Sequence, residues 1–475
     1  MRHLVCRSLL VASTAAALAA CGSDEETCDL AAQTGCDDGK VCEPVEDGEP
    51  QCFAPVVVRG GVSDVADASA IAGGRVVALD VNRAPVSSVA ESGDDGAYEL
   101  AIPSTRTADG TPVGVELTLR ADASGYASFP DGLRQALPID TATAVKADDG
   151  RWVVESALTE IGLIGLPADA GTATLRGRVD VPDDHVGVLV VAEAGGKGYD
   201  AIADRDGTYA IFNLPAASFT VDAYALGHVY DRVTVDIAAG ASATADLALS
   251  SATAGSVNGS VSIVNAPGGS ATSVVMFVES TLRTNKDDPA NQDPFTLVLG
   301  GAAPPGLRAP EAGIAPNVAG AFTIDGVPPG RYVILAGFEN DGLVRDPDEC
   351  ISGTDIVHVE VRDGEAVTIG QQFKITEALS VITPGSLAAE TVEATPTLSW
   401  QDDSSEDQYL VRVYDALGQE VWSQDLAGVS GGTPQVAYDG PLDAGMYYQF
   451  RVVSARRGAC AIATTEDLRG VFYVP

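Results

Sequence analysis

Asp206-Gly207-Thr208-Tyr209-Ala210-Ile211, continuing to Leu214-Pro215 and Phe219-Thr220-Val221, returns later in the chain as Gly320-Ala321-Phe322-Thr323-Ile324, Val327-Pro328-Pro329-Gly330 and Tyr332-Val333-Ile334. In both copies proline follows glycine by eight residues and the second aromatic follows the first by ten. Glycine supplies a tight turn, and the aromatic and aliphatic residues after it alternate onto one strand face. Proline sets a second turn, and the next strand is expected to return antiparallel, so that each hairpin hides one face in a sandwich.

The surrounding sequence has the same texture. From about residue 54 onward, short β-branched runs alternate with polar residues and are broken by Gly, Pro, Asn and Asp, with no sustained 3.6-residue stripe. The chain reads as all-β: tandem antiparallel β-sandwich domains after a short disulfide-rich tether.

A Gly-x-Val strand opens each copy, at Gly177-Arg178-Val179 and Gly259-Ser260-Val261. A third stretch carries Gly60-Gly61-Val62, Asp95-Gly96-Ala97-Tyr98-Glu99-Leu100 and Leu117-Thr118-Leu119 leading to Gly125-Tyr126, without the Pro-x-Gly-x-aromatic return. The pattern resembles the carboxypeptidase regulatory-like modules of transthyretin-like fold, placed at 54–170, 171–251 and 252–378. Such modules accompany zinc carboxypeptidases without carrying the zinc, so the resemblance implies no peptidase. Residues 379–475 change pattern. Pro396-Thr397-Leu398-Ser399-Trp400, Tyr409-Leu410-Val411-Arg412-Val413-Tyr414 and Leu442-Asp443-Ala444-Gly445-Met446-Tyr447-Tyr448-Gln449-Phe450-Arg451-Val452 resemble a fibronectin type III domain. The resemblance implies Trp400 between the sheets and Tyr448 at the tyrosine corner, with Phe450 and Val452 following inward. The proline usual after the tryptophan is replaced by the acidic stretch Asp402 to Asp407.

The start of the chain points to an address. Arg2, His3 and Arg7 precede an apolar run over 8–18, and small residues lead to Leu18-Ala19-Ala20-Cys21. This resembles a bacterial lipoprotein signal at 1–20, which implies cleavage after Ala20 and acyl chains on Cys21, several of which anchor firmly where one does not. Gly22, in place of a retaining aspartate, favours the outer membrane. The expected partner at this end is outer-membrane lipid, with the body facing the cell surface or the periplasm. Net charge is −39, and −41 once Arg2 and Arg7 leave with the leader. Such a surface repels nucleic acid and anionic headgroups.

Of eight cysteines, Cys6 falls in the leader and Cys21 takes lipid. Cys28, Cys36, Cys42 and Cys52 crowd into the lipidated tether at 21–53, where few apolar side chains are present and two disulfides would staple the segment. The gaps lack the Cys-x₂₋₄-Cys pairs of structural zinc, and three connectivities stay open. A stiff tether and a small recognition knob fit equally. Cys350 and Cys460 are the remaining two, expected to bridge the third and fourth β domains.

The search for chemistry returns no catalytic set, no cofactor and no metal site. His185, His228 and His358 lie outside any His-x₂-Glu or His-Glu-x₂-His setting. Gly428-Val429-Ser430-Gly431-Gly432 matches Gly-x-Ser-x-Gly but is followed by Thr433-Pro434 and an Asp439-Gly440-Pro441 turn where a nucleophile elbow needs a helix. Asp204-Arg205-Asp206-Gly207 lacks the further ligands of a calcium loop and is the repeat's own turn. One stretch invites a binding role: the third copy is 31 residues longer than the second between its two glycines, the excess lying over 280–318. Long loops on sandwiches often carry recognition. Here Phe295 would be the apolar anchor and Asp287, Asp288 and Asp293 the polar rim. The reading is therefore a non-enzymatic envelope lipoprotein whose sandwiches serve as stalk and adhesion platform for a protein or polysaccharide. The alternative is a structural subunit of a periplasmic or outer-membrane assembly.

Overall fold

A computed structural model describes residues 28–30, 34–37, 39–80, 84–132, 134–168, 170–182, 187–264, 272–284, 298–310, 318–338, 356–376, 378–402, 406–456, 460–466 and 468–475. Among these, strands dominate and the only helical pieces are three-residue 3₁₀ turns at Thr141–Thr143, Ala157–Thr159 and Glu279–Thr281. A small sheet of β1 (Val41–Glu43) and β2 (Gln51–Phe53) precedes four two-sheet sandwiches.

The first sandwich contains β3 (Val56–Asp64), β4 (Arg75–Asp80), β5 (Ala90–Glu91), β6 (Ala97–Ile102), β7 (Glu116–Asp122), β8 (Ile139–Asp140), β9 (Val145–Lys146), β10 (Trp152–Val154) and β11 (Ile161–Leu163). The order β11-β3-β10-β9, with β6 also on β3, faces β5-β4-β7-β8. The second contains β12 (Ala173–Arg178), β13 (Leu189–Ala194), β14 (Lys197–Ile202), β15 (Thr208–Leu214), β16 (Ala217–Tyr224), β17 (Val233–Ile237) and β18 (Ser242–Thr244). Its sheets are β15-β12-β18 and β14-β13-β16-β17.

The third comprises β19 (Gly255–Val264), β20 (Thr272–Val278), β21 (Arg283–Thr284), β22 (Val298–Gly300), β23 (Arg308–Ala309), β24 (Gly320–Val327), β25 (Gly330–Phe338), β26 (Val357–Val361), β27 (Ala366–Thr368) and β28 (Phe373–Thr376). The fourth comprises β29 (Val381–Thr383), β30 (Glu390–Thr391), β31 (Thr397–Trp400), β32 (Gln408–Asp415), β33 (Glu420–Ala427), β34 (Gln435–Ala437), β35 (Tyr447–Arg456), β36 (Cys460–Thr464) and β37 (Val471–Tyr473).

One device recurs in the first three sandwiches. The opening strand pairs antiparallel with the repeat's aromatic strand, so that glycine stands opposite the ring: Gly60 with Tyr98, Gly177 with Tyr209, Gly259 with Phe322. The ring fills the space a side chain would occupy. A Cβ on Gly60 would lie 1.9 Å from the Thr159 carbonyl oxygen, and one on Gly177 1.8 Å from that of Ala245. Those same carbonyls accept the hydroxyl protons of Tyr98 and Tyr209, each at 2.6 Å. The first copy, weak as sequence, uses the same geometry as the second.

The expected hairpin is corrected. β15 pairs with β12 whereas β16 pairs with β13 and β17, and likewise β24 pairs with β19 whereas β25 pairs with β20 and β26. The proline turn therefore arches between opposing sheets and does not join neighbours in one. Tyr209 and Phe219, ten residues apart, thereby enter one core from opposite sides. The two-residue hairpin of this sandwich lies elsewhere, where Gly195 and Gly196 at φ +60° and +80° join β13 to β14.

In the fourth sandwich Trp400 is fully buried, edge-on to Tyr409 at 5.3 Å. Tyr448 is buried too, and its hydroxyl accepts the Asp443 backbone N–H at 2.9 Å, closing back over five residues. Phe450 and Val452 follow it into the same core.

Candidate functional site

The cysteine-rich segment is fixed to the first sandwich. Its disulfides join Cys28 to Cys42 and Cys36 to Cys52. Glu43, on β1, buries its carboxylate against Arg106 at 2.5 Å and accepts the Ser104 N–H at 2.9 Å. Arg106 also donates to the Ala54 carbonyl at 2.9 Å and lies over the Phe53 ring. Both charged side chains are at least 98 % buried, and an ion pair at that depth holds only where its remaining hydrogen bonds are made. Backbone bonds at Pro44, Arg106 and Glu46 continue the join. Described in this way, the segment is a docked cap on the first sandwich.

The sandwiches brace one another through isolated polar side chains. Asn213, held at φ +61°, accepts the Gly125 N–H at 2.7 Å and donates to the carbonyls of Ala123 and Tyr126, tying the second sandwich to the first. Arg120 reaches Asp122 at 2.9 Å and Asp200 across the same seam at 2.7 Å. Burial alone would push its guanidinium pKa down, but the two carboxylates reverse that and hold it charged. The fourth sandwich turns back onto the first, where Arg134 donates to the Leu417 carbonyl at 2.6 Å and Arg469 meets Glu116 at 2.9 Å. The second and third share apolar packing, with Leu189, Val191, Ile202 and Tyr224 buried in the core of the third. With Arg283 of the third paired to Asp131 of the first, the first sandwich is a hub touching all the others.

Two cavities open along these seams. One of about 460 Å³ lies between the second and third sandwiches and exposes Glu193, Asp222, Arg232, Arg331, Glu360 and Arg362. The other, about 450 Å³, lies where the first three meet, with Arg120, Asp122, Asp131, Lys197, Asp200 and Arg283 on its walls. Ser280 lines both, and its hydroxyl is buried without a hydrogen-bond partner.

The residues singled out from sequence fall unevenly. Cys21, Asp287, Asp288, Asp293, Phe295 and Cys350 lie outside the described residues, as does His185; Cys460 opens β36, but its side chain is not described. The base of the 280–318 insertion is described. β21 and β22 pair as its stem, Thr281 Oγ accepts the Ala302 N–H at 2.8 Å, and Arg283 forms an ion pair with Asp131 of the first sandwich. Val429 to Gly432 forms an irregular connection between β33 and β34, its backbone N–H groups held by Glu406 and Asp402. Asp204 and Asp206 spend their carboxylates on the turn and on the Val89 N–H of the first sandwich. His358 meets Glu279 at 2.7 Å on the exposed face of β26. The sulfur atoms of Cys28, Cys36 and Cys52 lie within 4.8 Å of one another, all of them engaged in the two disulfides. Sequence reasoning missed Arg120, Asn213, Asp200 and Ser280, whose contacts lie in other sandwiches and leave no local pattern.

No known protein family's profile matches the chain, and no curated protein matches it. Among solved structures, the Bacillus anthracis TIE protein aligns over 85% of this chain and 68% of its own at 11% identity and a TM-score of 0.15. The shaft pilin SpaA of Lactobacillus rhamnosus GG aligns over 41% of this chain and 97% of its own at 12% identity and a TM-score of 0.17. GBS52, the minor pilin of Streptococcus agalactiae, aligns over 45% and 99% at 13% identity and a TM-score of 0.17. The tandem β-sandwich architecture stands on the strand pairing itself.

Proposed function

We propose that this chain is a non-enzymatic, lipid-anchored envelope protein whose mutually braced sandwiches form a binding platform for a protein or polysaccharide. The observation that carries the reading is the bracing. Arg134, Arg469, Asn213 and Arg120 hold sequence-distant sandwiches against one hub, which fixes the walls of the seams between them. Fixed walls suit recognition, because little ordering is left to oppose binding. The docked cysteine-rich cap would pass the anchor at Cys21 directly to the hub, so platform describes the arrangement better than stalk.

Protease shaving of intact cells, with a periplasmic protein as leakage control, tests this. Peptides released from the body, together with palmitate incorporation that is lost in Cys21→Ser, support an outward-facing anchored platform. Labelling with full protection until the outer membrane is opened favours the periplasmic assembly subunit, and absence of labelling removes the anchor.

A further inference from the structure

We propose that the two seam cavities are successive subsites of one groove that binds a neutral oligosaccharide. The inference rests on the platform reading and names its ligand. Charge is the first argument. The chain carries 67 acidic against 28 basic side chains, yet each cavity wall holds three of each sign. Walls with three groups of each sign present sites with no net pull on an anion or a cation.

Several of the charged groups are paired with one another. Asp222 accepts twice from Arg232 Nε, at 2.8 and 3.1 Å, and Arg362 meets Glu360 at 3.2 Å. In the other cavity, Arg120 is fixed between Asp122 and Asp200. Paired carboxylates and guanidiniums keep spare lone pairs and N–H groups in fixed directions, which suits the vicinal hydroxyls of a sugar ring. Beside them stand the half-buried rings of Tyr126, Tyr199 and Phe212; Lys197 lies over one face of Tyr199 and Arg176 over one face of Phe212, and Tyr126 offers ring surface to the apolar face of a sugar. A peptide would find no continuous apolar anchor here, whereas a hydroxyl-rich ring finds both kinds of contact.

Continuity is the second argument. Ser280 borders both cavities, and its hydroxyl makes no bond within the protein. Gly198 backs Ser280 closely at this shared wall, where a Cβ would lie 2.7 Å from Ser280 Oγ. Both volumes fall within the range of small-ligand sites, and two in succession accommodate a chain of rings.

The test is calorimetric titration of the full chain with maltohexaose, cellohexaose and chitohexaose, with hexagalacturonate and a neutral decapeptide as competitors in class. Binding of at least one neutral hexasaccharide is expected. Asp222→Ala and Lys197→Ala should each weaken it about three- to tenfold, the loss of one hydrogen bond, with Lys197→Ala, at an exposed side chain, leaving the melting temperature unchanged. No neutral hexasaccharide bound at millimolar concentration, preference for hexagalacturonate or the peptide, or equal affinity in both variants overturns the proposal. In parallel, wild type and variants are exposed to isolated envelope material. Retention that both variants share leaves the platform reading standing while the groove falls; absence of retention in the wild type sinks the platform itself.

Discussion

Removal of Arg106 should detach the cysteine-rich cap at a large and calculable cost. In Arg106→Ala the Glu43 carboxylate, 2% exposed, keeps only the Ser104 N–H, and the Ala54 carbonyl and Phe53 ring lose their partner. Breaking a buried ion pair from one side costs about 3–5 kcal/mol because a charge is stranded. At roughly 3–5 °C per kcal/mol for a unit of this size, the transition of the first sandwich should fall by about 9 °C or more. The loss should depend on pH in a definite direction. Burial already pushes the Glu43 pKa up, with Arg106 and Ser104 opposing it; without Arg106 it rises further. A carboxyl with a raised folded pKa contributes stability that is present below its unfolded value and lost as pH rises through the folded one. Arg106→Ala should therefore be less destabilised at pH 4 than at pH 8. The double variant Glu43→Leu with Arg106→Leu removes both charges and should recover most of the loss, since apolar replacement of a buried pair is often neutral. Calorimetric melts of wild type, single and double variants decide the matter. A single-variant loss below about 1 kcal/mol, or a double variant as damaged as the sum of its parts, would refute the reasoning.

Three further outcomes follow from the same contacts. Gly177→Ala drives a Cβ to 1.8 Å from the Ala245 carbonyl and should abolish the second sandwich's cooperative melt, whereas Gly370→Ala, with nothing within 4 Å, should leave all transitions in place. Asn213→Ala should speed amide exchange at Gly125, whose N–H it holds, without altering exchange in the core strands; unchanged exchange at Gly125 would mean that the seam does not depend on this side chain. Reduction of the two disulfides, which close loops of 14 and 16 residues, should remove about 3 kcal/mol each and open 28–53 to limited proteolysis while the sandwiches resist.

The parts of the fold legible in sequence were those with local causes. The opening Gly-x-Val strands, the strand alternation, and Trp400 and Tyr448 at the heart of the last core depend on neighbours a few residues away or on one facing strand. The arch at Leu214-Pro215 was misread as a hairpin because a ten-residue aromatic spacing serves two facing sheets as well as two adjacent strands. The cysteine pairing was not legible: β1 and β2 set Cys42 opposite Cys52, yet Cys42 bonds Cys28 and Cys52 bonds Cys36, partners outside the two strands. The bracing was illegible for a different reason. Arg134 and Leu417 are 283 residues apart, and a lone arginine in a loop carries no periodicity that marks its target. The 280–318 insertion was noticed by length, but its described stem serves the junction of three sandwiches, a role that no property of its own composition reveals.

Small-angle X-ray scattering tests most directly whether the other three sandwiches fold back around the first instead of following one another in a line. A fully compact chain of 475 residues has a radius of gyration of about 23 Å, so the braced cluster should measure between that value and about 30 Å. Four such units strung end to end, each of about 13 Å radius, would exceed roughly 35 Å, and a value in that range would contradict the account.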